Sequence, residues 1–338
     1  MKKAILTSAL AVTLLIIVIT ASLINYQLPP LFNPVKDTVE DPRILDKYSI
    51  GSLRLRNFPA QKISLGEIVN DSLNFQSRSF NFLSDGKKVS GLINLPKTEI
   101  LNPVVILLRG YVDRSIYSPG VGSQRMGEAL ASAGIITLAP DFLGYGQSAS
   151  PSAYPLEERF ETYTTAINLI KSVHNLNDSL IMAGLINRAK ADKIGIWGHS
   201  NGGHIALAVL EITGAGYPTV LWAPVSRSFP YSILFYTDEF DDQGRALRKL
   251  VADFESRYDS SQYSISGFWD SIEAPIQLHQ GEADWEVPKY WSDEFYQSLN
   301  DKNKDIEYFT YPGENHNFQQ GAWDSAYTRS LDFYRQHF

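Results

Sequence analysis

The stretch that decides the reading of this chain is residues 194–210, "IGIWGHSNGGHIALAVL". Ile194 to Trp197 is a short apolar run with the length of a buried strand, and Gly203 to Ile212 carries apolar residues at helical density. Between them stand Gly198, His199, Ser200, Asn201 and Gly202. A strand that turns into a helix this abruptly leaves no room for side chains two positions before and after the turn, so the glycines there meet a steric need. The strain of such a turn lifts the serine hydroxyl above the sheet edge, which is the geometry of a nucleophile elbow. Gly203 then lets the helix approach closely.

Outward from this point the same alternation repeats. Val104–Leu108 reads as a strand, Gln124–Ala133 as a helix and Ile135–Ala139 as a buried strand. Phe160, Tyr163, Ile167 and Ile170 recur at helical spacing ahead of the elbow, and Thr219–Trp222 is a strand beyond it. Ile276–His279, Tyr290–Leu299, Ile306–Thr310 and Ala322–Phe338 continue as strand, helix, strand, helix. The expected fold is α/β: a mostly parallel central sheet with helices on both faces. An antiparallel hairpin should open it, because "RSFNFLSDGKKVSGLINLP", residues 78–96, alternates on both sides of Asp85-Gly86. The catalytic domain is expected over 78–338, after a proline-rich stalk or strap over 26–77. One long interruption, Val225–Ser271, is rich in Phe, Tyr and Trp; it reads either as a lid over a substrate pocket or as helices packed on the domain for stability.

A serine hydroxyl needs a base, and the base needs an orienting carboxylate, both expected after the serine in chain order. Of the six histidines, His174 and His199 precede Ser200, His204 lies on the helix behind it, His279 sits within a strand and His337 ends the last helix. His316, in the loop "YPGENHNF", is the expected base. Asp284, in "LHQGEADWEVP" just after a strand, is the expected acid; Glu282 and Glu286 read as exposed loop acids, and Asp141 as a brace for the loop "DFLGYGQS". Acyl transfer also needs donors for the oxyanion, each worth about 100- to 1000-fold in rate. The Asn201 N–H is the first, and the loop "RGYVDR" supplies the second, with Tyr111 as its best candidate through either its amide or its phenol. His199 and His204 have the wrong spacing for a helical metal pair and the chain has no cysteine, so no metal and no cofactor is expected.

The net charge of -7, with 20% charged residues and no Lys/Arg-rich run, excludes a phosphate-backbone partner, so no nucleic acid is expected. After Lys2 and Lys3 the chain runs without a charge from Ala4 to Ile24, about 32 Å as a helix at about 1.5 Å per residue. Residues 1–25 are therefore read as a membrane anchor or a cleaved signal, with the rest of the chain outside the cytoplasm.

Taken together, "GHSNGG", "GEADWEVP", "YPGENHNF", "DGKKVSGLINLP", "RGY" and "DFLGYGQS" resemble the catalytic domain of the prolyl oligopeptidase and dipeptidyl peptidase family of α/β-hydrolases. The resemblance covers about Arg78 to Phe338. It implies Ser200 as nucleophile, Asp284 as acid, His316 as base, and Asn201 with the Tyr111 region as oxyanion hole. Two features depart from the family. The residues before Arg78 are too few for the β-propeller of its large members, and Arg109-Gly110-Tyr111 stands where relatives have His-Gly or Tyr-Gly. The expected activity is that of a serine-type peptidase on short peptides, with a carboxylesterase on small esters as the alternative; an acyl transferase or an inactive binding module on the same scaffold are further readings.

Overall fold

The glycine-studded turn after residue 197 sits at the centre of a nine-stranded sheet. A computed structural model describes residues 43–98 and 101–338; the uncharged run Ala4–Ile24 lies outside them. Among the described residues no helix is long and apolar enough to cross a membrane. The strands are β1 (Ser64–Asp71), β2 (Phe75–Ser84), β3 (Lys87–Pro96), β4 (Leu101–Leu108), β5 (Ile136–Pro140), β6 (Arg188–His199), β7 (Thr219–Trp222), β8 (Ile276–Gly281) and β9 (Ile306–Tyr311). Their spatial order is β1-β2-β3-β5-β4-β6-β7-β8-β9. The pairs from β5 through β9 are parallel, and β1-β2, β2-β3 and β3-β5 are antiparallel. The hairpin of β2 and β3 turns at Asp85-Gly86, both with positive φ, and Ser84 pairs with Lys87 across the two-residue loop. That backbone twist suits paired strands and is why Asp-Gly stands there.

The helices are α1 (Ile50–Leu55), α2 (Gln124–Ser132), α3 (Pro155–Ser172), α4 (Leu176–Met182), α5 (Asn201–Thr213), α6 (Tyr231–Leu234), α7 (Arg245–Glu255), α8 (Lys289–Asn300) and α9 (Trp323–His337). Val105 and Leu107 of β4, with Trp197, Val220 and Trp222, pack on Met126 and Leu130 of α2 and Leu331 and Tyr334 of α9. Alternation along β4 turns Val104, Ile106 and Leu108, all buried, to the opposite face. There α5 lies against β6 and β4 and also packs on α3. A parallel sheet covered on both faces must be apolar on both, which is why β4 reads as an unbroken run.

Two stretches differ from the expectation. The part of 26–77 that is described does more than trail along a surface. Leu45, Tyr48, Ile50 and Leu53 are buried, the Tyr263 hydroxyl donates to the Leu45 carbonyl at 3.1 Å, and β1 extends the sheet beyond the hairpin. β1 escapes a periodicity reading because it is an edge strand with an irregular register, and it leaves Ile68 and Val69 exposed. The insert, in turn, buries five of its ten aromatics, Phe229, Phe254, Tyr258, Tyr263 and Trp269. Phe229 and Tyr263 meet Phe160 of α3 with ring centroids 5.5 and 5.2 Å apart, and Phe254 packs on Phe229, Tyr258 and Tyr263. This is helical packing that stabilises the domain, since burying such rings removes a large apolar area from water.

Phe160 is fully buried at the hub of that cluster. Phe160→Ala should lower the unfolding free energy by about 3–5 kcal/mol, the usual cost of deleting a buried phenyl ring. Urea denaturation measures it, and a midpoint unchanged from wild type would show that the insert does not depend on this contact.

Candidate active site

Ser200 stands alone between the end of β6 and the start of α5, with φ 55° and ψ -124°. A non-glycine residue with positive φ is strained, and here three backbone hydrogen bonds hold it. Its N–H donates to the Trp222 carbonyl at 3.1 Å, and its own carbonyl accepts from Gly203 and Val225 N–H at 3.0 Å each. The glycines give this turn its space. A Cβ on Gly198 would lie 2.8 Å from the Gly202 carbonyl oxygen, one on Gly202 would lie 1.8 Å from the Leu108 carbonyl oxygen, and one on Gly203 would lie 2.4 Å from Pro224 Cβ. The turn therefore fits against the end of β4 only without those side chains. Gly110, just beyond β4, is packed against the serine itself: a Cβ there would come 2.8 Å from Ser200 Cβ.

Asp284 and His316 come from the loops after β8 and β9. His316 Nδ1 and Asp284 Oδ2 are 2.8 Å apart, and the Asp284 side chain has no exposed surface. Its Oδ1 accepts from the Glu286 and Val287 N–H groups at 2.9 and 2.8 Å, and its Oδ2 also accepts from Gln280 Nε2 at 2.9 Å. With Oδ2 accepting at Nδ1, the imidazole tautomer that bears its proton on Nδ1 leaves Nε2 as the ring's acceptor. Glu286, two-thirds exposed, lies 4.0 Å from Nε2.

The sequence reading overlooked the supports of this loop. His199 Nε2 donates to the His316 carbonyl at 3.0 Å, with the two rings 4.6 Å apart. Burial, and then its neighbour His316, pushes its pKa down to about 3, so it is a neutral donor. Glu314 accepts from the Gln320 and Ala322 N–H groups at 2.9 and 2.5 Å and pins the other side of the loop. The only signal for either was adjacency, His199 to Ser200 and Glu314 to His316. His204 donates to the Val225 carbonyl and accepts from Tyr163, and His279 is bonded to Tyr311 and Gln277, so both are structural. Among the described residues no cluster of three His, Cys, Asp or Glu side chains could hold a metal.

The Asn201 backbone follows the serine directly, and its side-chain oxygen accepts from Arg159 at 3.5 Å. Tyr111 is 78% exposed. Asp141 is buried and accepts from Ser90 at 2.5 Å and Tyr117 at 2.6 Å, while Ser90 Oγ accepts from the Gln147 N–H, so the group ties the loop after β5 to β3. A cavity of about 210 Å³ opens beside Gly110, Tyr111 and Asn201. None of the residues that line it comes from the insert 225–271, whose rings are engaged by Phe160 and by Trp291.

Known proteins share this architecture. The model described as the prolyl oligopeptidase family matches residues 164–338, just over half of the chain, and that of the alpha/beta hydrolase fold matches residues 103–218. The chain is 26% identical over 242 residues to the uncharacterized peptidase YtmA of Bacillus subtilis (strain 168), spanning 70% of this chain and 84% of that protein. Acetyl xylan esterase 1 from Thermoanaerobacterium sp. JW/SL YS485 superposes with a TM-score of 0.55 at 18% identity over 87% of this chain and 94% of the other. A puromycin-hydrolyzing peptidase of Mycobacterium tuberculosis superposes with a TM-score of 0.57 at 22% identity over 79% of this chain and 40% of the other. The two superpositions establish likeness of fold.

His199, His204 and His279 are each pushed down to about 3, chiefly by burial. Their unfolded value is about 6.5, so their contribution to stability is complete above that pH and is lost as the pH falls toward 3. Buried Glu211 and Asp141 and partly buried Glu158, raised by desolvation, act in the opposite sense. Removing Glu211 leaves the histidines less opposed, so the urea midpoint of Glu211→Gln should fall more steeply between pH 7 and pH 5 than that of wild type. An equal or shallower fall in the variant would contradict this.

Proposed function

The chain belongs to the prolyl oligopeptidase family, and from that premise we propose that it is a serine peptidase working through an acyl-enzyme on Ser200. The observation that carries this reading is the His316 Nδ1 to Asp284 contact of 2.8 Å on a carboxylate closed off from solvent. With Nδ1 committed to Asp284, Nε2 takes the Ser200 proton as Oγ attacks the substrate carbonyl. The tetrahedral oxyanion is held by the N–H of Asn201 and that of Tyr111. The amide is the better assignment for Tyr111, since Gly110 lies against Ser200 while the phenol side chain points largely into solvent. His316 then protonates the leaving amine, and water repeats the sequence on the acyl-enzyme.

A second reading, a carboxylesterase on small esters, is supported by the fold likeness to an acetyl xylan esterase that this chain matches over nearly its whole length. The same residues would serve, because ester and amide differ mainly in how much help the leaving group needs from the acid.

A fluorophosphonate probe should label Ser200. Ser200→Ala should lose on the order of a million-fold in kcat, and Asp284→Asn about ten-thousand-fold with the fold intact, as in other triads of this kind. Labelling at another serine would refute the assignment. Matched ester and amide substrates with a common acyl group then separate the two readings: ester turnover without cleavage of any peptide in a library favours the second.

We also propose that the uncharged run from Ala4 to Ile24 behind Lys2 and Lys3 carries this domain out of the cytoplasm. Protease added to intact cells or spheroplasts should digest the domain; protection until lysis would reject the proposal.

A further inference from the structure

Pockets for small substrates are mostly apolar, yet the cavity beside Ser200 is lined by Arg109, Glu158, Arg159 and Glu161. The two carboxylates are already paired, Glu158 with Arg114 and Glu161 with Lys87. Among the described residues neither guanidinium makes an ion pair, although Arg109 lies near enough to the Asp141 carboxyl to act on it electrostatically. Arg159 offers Nη1 to the neutral Asn201 side chain at 3.5 Å, a long contact, and its buried Nε and Nη2 have no hydrogen-bond partner. Arg109, only 5% exposed, gives its Nη atoms to the Gly110 and Asp141 carbonyls at 2.9 Å each and leaves Nε unpartnered. Its plane rests 4.2 Å from the Tyr145 ring centre and 4.7 Å from that of Tyr117. The Asp141 carboxyl group is engaged by Ser90 and Tyr117. His204, beside Arg159, is held neutral. A charge withdrawn from water without a counter-charge is costly, and removing that cost on binding is a source of affinity.

We propose that this cavity is a carboxylate subsite, in which Arg159, backed by Arg109, receives an acidic group carried by the substrate next to the bond being cleaved. The inference rests on the serine-hydrolase reading and names its substrate class: peptides with an acidic side chain, or esters of short dicarboxylic acids, in preference to neutral isosteres. The planar fork of a guanidinium suits a carboxylate, and about 210 Å³ holds a short chain only. The long contact to Asn201 is the weak one in this wall, so Nη1 exchanges it for the incoming oxygen with little loss. Arg159 is thereby a specificity-determining residue placed one turn of chemistry away from Ser200, through Asn201.

The test compares isosteric pairs on the full-length wild-type protein. In the ester arm these are the p-nitrophenyl monoesters of glutaric acid and of glutaramic acid; in the peptide arm, fluorogenic peptides with Glu or Gln at each position flanking the cleaved bond. The carboxylate member should lead by about ten-fold or more in kcat/KM in at least one arm, the range expected for a charge-assisted hydrogen bond. Preference in the ester arm alone identifies a dicarboxylic acyl group, and in the peptide arm alone an acidic residue. Arg159→Gln should bring the ratio to about one, and Arg159→Lys should keep part of it. Equal or better turnover of the neutral member in both arms overturns the proposal with wild type alone, whatever the variants do; an undiminished ratio in folded Arg159→Gln overturns it too. Fluorophosphonate labelling of Ser200 is run in parallel: labelling without charge preference defeats only this inference, and no labelling defeats the reading beneath it.

Discussion

Three backbone segments converge on Ser200: the end of β4, the end of β6 and the start of α5. They can do so because positions 198, 202 and 203 carry no Cβ, the tightest of them being Gly202 against the Leu108 carbonyl. Close contact between backbones sets everything downstream. It forces Ser200 to positive φ, anchors its main chain to Trp222 at the end of β7 and to Val225 beyond it, and places Gly110 within contact of its side chain. The turn costs energy locally, and the surrounding sheet, buried on both faces, supplies the rigidity that keeps it from relaxing. A looser sheet would let the serine drop into an ordinary conformation.

The second constraint is the number of polar groups brought into this dry region. Those around Asp284 and His316 are matched to partners that fix their state, while both Glu211 carboxylate oxygens are buried without a hydrogen-bond partner among the described residues. Asp284 is surrounded by donors and stays an acceptor, while His199, His204 and His279 are buried with neutral partners and stay uncharged. Such networks specify geometry as well as stability, because an unpaired buried group is costly and only one arrangement pairs them all. The His316 loop illustrates this: its ring is set by Asp284, its carbonyl by His199, and its flank by Glu314. Against that background the two guanidiniums of the cavity stand out, since among the described residues its two carboxylates are ion-paired and neither guanidinium is.

The N-terminal segment from Leu45 and the insert after β7 meet on the α3 and α5 side of the sheet, where Tyr258 and Tyr263 bond to Leu45 and Arg54 reaches the carbonyl at the end of α5. Of the two, the insert reaches Ser200 at its first residue, where the Val225 N–H donates to the Ser200 carbonyl. Both close the apolar surface behind them, and α3, clamped on that side by Phe160, presents Arg159 to the cavity on its other flank. Packing on one side of α3 thus shapes the cavity wall on the other.

Much of this was legible in the amino-acid order. Alternating apolar runs specify strands and helices wherever an element is buried on a regular face, as in β4 or α5, and Asp85-Gly86 specifies its turn, because these signals are local. Ser200, Asp284 and His316 could be singled out for the same reason: each lies at a strand end in a loop whose neighbours mark it. What sequence order could not carry was pairing over long separations. β1 is held by an irregular edge register, the insert's rings found partners in α3 rather than over the cavity, and His199 meets a carbonyl 117 residues away. The charge of the cavity belongs to the same class. Glu158, Arg159 and Glu161 are neighbours in the chain, and only the tertiary fold, by giving Arg114 and Lys87 to the two acids, left the arginine without an ion pair among the described residues.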